Sequence, residues 1–326
     1  MLGLPAGEVD GNPAGQIEGY RAESGPVGTI HHLPNGMAWG RGAHLDADCR
    51  LIHFLSPGIN RGMDYWMLKR QRFFPKLTCL SRETVSLIAD GHGNYYHWMF
   101  DVLPRLAALE PESLSNRHYL VAEENAFHRQ TLDLLQISSG ARTAIVPLQF
   151  YSAPEMLVPL VPLGVSRENL RFVRRLLFER TGLVETPPAR DRIYISRRHA
   201  NSRRVLNEDE LVPILEKHGF RVCFLEQLSL QQQMLLFHGA DIILAPHGAA
   251  WTNLIFSRAG SLALEIMPEG MENTHRDAYM LYERLAAAAD VRYERIIAQT
   301  SRSDYPHAGD LRLNPDVLEQ ALRGLE

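Results

Sequence analysis

Cysteine is scarce in this chain. Cys49, Cys79 and Cys223 stand far apart and form no CxxC pair. That argues against a thiolate zinc site and against a disulfide framework. A reducing, cytoplasmic setting is the simpler expectation. Long apolar runs are missing as well. No segment approaches the roughly 18 apolar residues that suggest a membrane span. The first 20 residues lack the basic and apolar stretches of a secretory signal. There is no excess of positive charge either: the net charge is −4 and the pI about 6.4. Electrostatics therefore gives no reason to expect a nucleic acid partner. The glycine-rich dinucleotide fingerprint and the P-loop pattern are both absent, which leaves NAD binding and ATP hydrolysis unsupported.

What is present is an ordinary globular composition, 45% hydrophobic and 22% charged. The 326 residues suit about two domains, each able to bury a core without staples. Residues 1–40 are rich in Gly and Pro and read as an irregular N-terminal segment. From residue 80 onward strands and helices alternate. Residues 84–90, 118–122 and 143–148 read as strands, and 127–135 and 167–183 as helices. Residues 94–109 read as a helix that Pro104 ends or kinks. The run Glu185-Thr-Pro-Pro-Ala-Arg190 marks the domain boundary, so residues 41–185 and 186–326 form the two domains. The last helix is an element that could return to the first of them. In the second half, strands are expected at 192–196, 221–225, 241–245 and 261–266. Asn207 with Glu210 suggests a capping box, Gly219 a helix end, and Ser229 a further cap. This alternation predicts an α/β fold with parallel sheets.

Ligands of such sheets bind beyond the carboxyl ends of the strands. There the second half carries Ser196 and Arg197, then Arg203 and Arg204, then Glu226, then His247-Gly248-Ala249, and finally Glu265. Arginines grip phosphate oxygens, often bidentately. The helix opened by Gly248 and Ala249 presents N–H groups that attract anions. A strand-end carboxylate can accept from ribose hydroxyls. Together these describe a nucleotide diphosphate site. Each member also has a structural alternative: a solvated face for Arg203 and Arg204, a buried ion pair for Glu265, a loop-satisfying role for His247.

The runs Arg192-Ile-Tyr-Ile-Ser-Arg-Arg-His-Ala200 and Arg203-Arg-Val-Leu-Asn-Glu208 resemble glycosyltransferase family 61. So do Gly219-Phe220, Gln233, Ala240-Asp-Ile-Ile-Leu-Ala-Pro-His-Gly-Ala249 and Thr252-Asn253. In the first half, Asn94-Tyr-Tyr-His-Trp98 and Asp101-Val-Leu-Pro-Arg105 resemble the same family. The resemblance spans residues 84–325 and implies a GT-B architecture, two Rossmann-like domains facing a central cleft. It implies inverting transfer of a hexosyl or pentosyl group from a nucleotide-sugar donor to a hydroxyl of a glycan or glycolipid acceptor. Without a secretory anchor, the bacterial members are the nearer comparison. They act in capsule or surface-polysaccharide synthesis, in the cytoplasm, where peripheral association with the inner face of the membrane is compatible. No separate cofactor and no metal are expected. Asp46-Ala47-Asp48 has the spacing of a metal-binding Asp-x-Asp pair, but it lies outside the motif blocks and reads as coincidence. Asn253 belongs to the donor side by the same resemblance.

Inversion needs a base for the acceptor hydroxyl. His97 and Asp101 lie four residues apart on one helix face, and an Asp can fix a histidine tautomer and stabilise its cation. His97 is the expected base and Asp101 its partner. Asp101 acting directly and a purely structural contact remain the alternatives. His92, in a Gly-His-Gly loop, is held less firmly. Asn94, Tyr96 and Arg105 are assigned to the acceptor side. The other class of reading is a catalytically inactive GT-B module that binds nucleotide or glycan.

Overall fold

The computed structural model describes residues 8–9, 11, 13–56, 59, 76–162, 164–183 and 190–325. The chain is α/β and divides into two compact units, Met1–Gly164 and Val165–Glu326. The expected boundary at 185–190 lies, apart from Arg190, outside the described residues. The division falls before the helix Arg167–Thr181, because Arg174 of that helix donates to the carbonyls of Ile255 and Ser257 in the second unit.

The first unit holds two mixed sheets rather than one parallel sheet. In one of them, Arg142–Ala144, Tyr119–Val121, Thr84–Ser86 and Glu155–Leu160 are neighbours and run parallel. Thr29–Pro34 and Arg21–Ser24 extend that sheet as antiparallel strands. The other sheet orders Glu8–Val9, Leu51–Ile52, Ala43–Leu45, Met37–Trp39, Phe150–Ser152 and Leu77–Cys79. Residues 1–40 therefore carry four strands instead of an irregular segment. The reason is long-range pairing: Thr29–Pro34 aligns with Glu155–Leu160 residue for residue. Local Gly and Pro content says nothing about a partner more than 100 residues away. Leu33, Ile88, Leu120, Met156 and Val158 pack in one core, each buried side chain of this size stabilising by about 1.5–3 kcal/mol.

The second unit keeps the expected pattern. Its sheet runs Phe220–Cys223, Asp191–Ile195, Ala240–Pro246, Leu262–Pro268, Arg292–Thr300 and Leu311–Arg312. All are parallel except the last. Counted along the chain, the parallel strands have the order 2-1-3-4-5. The topological switch point lies between the first and third, where ligands of open parallel sheets bind. Ser229 and Gln232 form a capping box for the helix Leu230–Gly239, and Gly219 takes the left-handed conformation just past Glu208–Lys217. The box expected at Asn207 does not form. Its amide instead donates to Leu313 O and accepts from Leu313 N, tying down the chain ahead of the last helix. That helix, Pro315–Arg323, buries Leu318 and Leu322 in the core of its own unit beside Leu211 and Leu215. Its apolar face packs beside Glu208–Lys217, to which Glu319 also bonds through Lys217 at 2.7 Å. Among the described residues no helix is long and apolar enough to cross a membrane.

Candidate active site

The segment after the strand Thr84–Ser86 begins with a tight turn in which Asn94 N donates to Gly91 O. Asn94 then caps the helix, its side chain accepting from Tyr96 N at 2.8 Å. The winding changes twice. Tyr95–His97 is α, Trp98–Val102 is a π turn closed by Leu103 N donating to Trp98 O, and Leu103–Ala108 is 3-10. Pro104 sits in the first turn of the 3-10 segment; it lacks an N–H and cannot continue an α ladder. π turns of this kind recur at functional sites, and this one contains Asp101.

His97 and Asp101 meet as expected. Nδ1 of His97 lies 2.6 Å from Oδ2 of Asp101. The hydrogen bond to Asp101 raises the His97 pKa above its ordinary 6.5; burial opposes this, and the charges of Asp101 and Asp90 add to it. Asp101 Oδ1 accepts from Gly164 N at 3.2 Å. The ring of Tyr96 stands edge-on to His97 at 5.3 Å. Gly91, at φ 73°, lies so close that a Cβ there would come within 2.8 Å of the His97 ring. His97 is 43% exposed and can be reached from solvent, whereas Asp101 is 18% exposed. His92 is buried and turned to Ala89 O at 2.6 Å. Arg105 departs from its expected role. It is buried, and its Nε donates to the backbone carbonyl of Asp101 at 2.8 Å. Burial depresses its pKa to about 10, against the attraction of Asp101. Arg105 therefore supports the turn that carries Asp101 from inside, while its Nη1 is buried without a hydrogen bond among the described residues. Asn94, too, is occupied as a cap.

In the second unit, the switch point brings Arg197 and His247-Gly248 together. A Cβ on Gly248 would lie 2.6 Å from Arg197 Nη1, so the small residue lets the guanidinium lie against the backbone. Arg197 donates from Nε and Nη2 to Ser202 O at 3.3 and 3.1 Å. Its pKa is pushed down to about 10 by burial and then by the charge of Arg203. Burial also lowers the pKa of Arg203, against the attraction of Tyr282, Glu265 and Tyr305. Neither arginine has a carboxylate within ion-pair distance among the described residues, and Arg203 Nε is buried without a hydrogen bond. Arg203 also holds φ at 58°, a conformation that costs a side-chain residue about 1–2 kcal/mol. Both guanidiniums are partly buried and Arg197 feels the charge of Arg203, a repulsion that no carboxylate within ion-pair distance offsets among the described residues. Ser196, buried, accepts from Arg198 N through Oγ at 3.1 Å and shapes this loop. Ala249 opens the 3-10 segment Ala249–Phe256, with Gly248 as its cap.

Other expected members turn elsewhere. Arg204 is bound to Asp310 at 2.6 Å and is half-exposed. Glu226 pairs with His199 at 2.9 Å on the surface. Asn253 is buried and donates to Gln233 Oε1 at 3.0 Å, and Gln233 holds the carbonyls of Leu225 and Leu228. It braces the loop rather than facing a ligand. Glu265 is the clearest correction. The strand extends to Pro268, so Glu265 lies inside it and is fully buried. Oε1 meets His247 Nδ1 at 2.9 Å, and Oε2 accepts from the Tyr293 hydroxyl. Each oxygen has a side-chain partner, and the carboxylate is closed off from solvent. Asp46, first of the Asp-x-Asp spacing, is buried, accepts from the backbone of Asp48 and Arg50 and pairs with Arg50 Nε at 2.6 Å. Sequence reasoning did not single out Gly91, which lies against His97, or Tyr293, which donates to Glu265. Only the positive φ of a turn glycine had a local signal.

The sequence model of the family described as Glycosyltransferase 61 matches residues 95–264, just over half of the chain. An alpha-1,3-arabinosyltransferase of Oryza sativa subsp. japonica is 27% identical over 145 residues, covering 43% of this chain and 25% of that protein. A beta-1,2-xylosyltransferase of the same organism is 36% identical over 89 residues, covering 27% of this chain and 16% of that protein. The matches thus span a quarter or less of these relatives' own length.

Proposed function

The chain belongs to the glycosyltransferase 61 family, and from that premise we propose that it is an inverting, metal-independent glycosyltransferase of GT-B architecture using a nucleotide-sugar donor. The observation that carries the donor half of this reading is the pair Arg197 and Arg203, two partly buried guanidiniums with no carboxylate partner among the described residues. A diphosphate supplies the missing anion, and a helix start at Gly248-Ala249 adds N–H groups beside it. The acceptor half rests on His97. Its Nε2 takes the proton of the acceptor hydroxyl while the oxygen attacks the anomeric carbon. Asp101 then stabilises the imidazolium through the 2.6 Å contact at Nδ1.

The two rice relatives are named for arabinosyl and xylosyl transfer, so pentosyl donors belong beside hexosyl donors in any screen. A glycan or glycolipid hydroxyl is the proposed acceptor. A role in bacterial capsule or surface-polysaccharide synthesis, in the cytoplasm at the inner membrane face, completes the proposal on the strength of family resemblance. The experiment is a thermal-shift and calorimetric screen of nucleoside diphosphates and their sugars. A ligand at 100 times its Kd stabilises the folded state by about 2.7 kcal/mol. Binding that is lost in Arg203→Ala supports the donor site. Full binding in that variant refutes it.

A further inference from the structure

His247, Glu265 and Tyr293 form a buried chain whose end lies at the switch point. Tyr293 is on the strand next to that of Glu265, two positions ahead of its register partner Arg295. Its hydroxyl donates to Glu265 Oε2, and burial, with Glu265 adding to it, drives its own pKa far upward, which keeps it a donor. Glu265 Oε1 faces His247 Nδ1 at 2.9 Å. A carboxylate oxygen accepts, so Nδ1 is the nitrogen placed to donate to it. The tautomer is thereby fixed, as in other carboxylate–histidine pairs. Nε2 has no hydrogen bond among the described residues and is not among the buried unpartnered atoms. It is the free end of the chain. His247 directly precedes Gly248, which lies against Arg197. The charge of Arg203 is felt both by Glu265 and by His307, whose ring is 5.5 Å from that of His247.

A solvated aspartate–histidine contact on a surface could be incidental. This one is not easily so, because a fully buried carboxylate has both oxygens satisfied by side chains from two separate elements. Burying such a group is costly, and the arrangement leaves one imidazole nitrogen aimed away from it. We propose that His247 is the third anion-binding group of the donor site. When the diphosphate binds, Nε2 takes up a proton from solvent and this Nε2–H donates to the diphosphate oxygen that departs with the bonding electron pair, while Glu265 and Tyr293 are positioning residues that fix the ring. The inference rests on the donor site proposed above and names the group that acts on its leaving end. In the transfer step the acceptor oxygen bonds to the anomeric carbon and the carbon–oxygen bond to the diphosphate breaks. The acceptor proton goes to His97. The electron pair stays on the diphosphate, where the Nε2–H hydrogen bond and the two guanidiniums stabilise it.

Inorganic pyrophosphate is a sufficient probe, since it carries the diphosphate without sugar or base. The test is calorimetric titration of the full chain and of the variants His247→Ala, Tyr293→Phe and Arg203→Ala. It is paired with ring-nitrogen NMR of His247 in the wild type, assigned by loss of its signals in His247→Ala. The expected result is pyrophosphate binding in the wild type, about tenfold weaker in His247→Ala. The Nε2 resonance should move to the protonated position on saturation while Nδ1 stays protonated. In Tyr293→Phe the Nδ1 resonance should shift before any ligand is added, a signature that a packing role alone does not produce. The NMR measurement needs no variant to stay folded beyond the assignment, and Tyr293→Phe removes only a hydroxyl. If pyrophosphate binds in an Arg203-dependent way but leaves the His247 nitrogens unmoved, or binds His247→Ala as tightly as wild type, the inference is overturned and the donor site stands. If the wild type does not bind pyrophosphate, both are overturned.

Discussion

The contact between Gly91 and His97 makes a demanding test of the acceptor-side base. Replacing Gly91 by alanine has two costs that can be worked separately. The backbone is at φ 73°, where a side chain costs about 1–2 kcal/mol. The new Cβ would also lie 2.8 Å from Cδ2 and 3.1 Å from Cγ of the His97 ring. That is too close, so the ring must retreat by a few tenths of an ångström or more. His97 is 43% exposed and has room to move. The second cost is therefore paid in geometry more than in stability: the 2.6 Å bond to Asp101 lengthens. Because that bond is the first cause of the raised His97 pKa, the pKa should fall toward its ordinary value. Urea unfolding should report a loss of about 1–2 kcal/mol, and NMR titration of His97 should report the drop. Misplacement of a reacting group by about 1 Å can lower turnover by ~100-fold. Nucleoside diphosphate binding, governed by residues of the other unit, should be unchanged. An unshifted His97 titration in a Gly91→Ala protein of reduced stability would refute the reasoning, since the strain would then have spared the pair.

Four further outcomes follow from the same geometry. Asp101→Asn should lower the His97 pKa, so the acid limb of the rate profile, where the base is protonated, should move to lower pH; a pH series of turnover measures it. His97 has a folded pKa above its unfolded value, so its contribution to stability is present in full below about 6.5 and disappears as pH rises through the raised value; urea midpoints from pH 5 to 9 should show that loss in the wild type and not in His97→Gln. Arg204→Ala breaks an exposed pair with Asp310, worth about 0–1 kcal/mol, and should leave nucleoside diphosphate affinity intact where Arg203→Ala loses it, by calorimetry. Asn207→Ala leaves the buried N–H and C=O of Leu313 without their partner and should destabilise by about 1–3 kcal/mol in chemical denaturation.

The parts of the fold that were legible are those whose signal is local. Ser229 with Gln232, and Gly219 after His218, announce helix ends within four residues, and the structure has them there. Four of the five parallel strands of the second unit were read as short runs without knowledge of their partners, whereas Arg292–Thr300, nine residues of mixed polarity, was not. The first unit resisted because its sheets join Thr29–Pro34 to Glu155–Leu160 and Met37–Trp39 to Phe150–Ser152. Even buried His31 and His32 sit in one of those strands, which hides its apolar character. Asn207 shows the same limit on a smaller scale. Its spacing to Glu210 suits a capping box, but Leu313, 106 residues on, competes for the amide and wins.

The candidate site divides along the same line. Arg197, Arg198, Arg203 and Arg204 are indistinguishable by residue type, and sequence gave no reason to separate the last two. What separates them is where carboxylates arrive from. Arg198 is met by Glu208 and Asp209 from the next helix, and Arg204 by Asp310 from beyond the fifth strand. Arg197 and Arg203 are met by none among the described residues and are both partly buried. An arginine cluster is thus sorted into structural and ligand-facing members by the acids of the folded chain. The same accounting moves Glu265 from the ligand to the protein, because His247 and Tyr293 use both of its oxygens. The anion site proposed here is then smaller than the motif suggested, with two guanidiniums that no carboxylate meets among the described residues and one imidazole at the switch point.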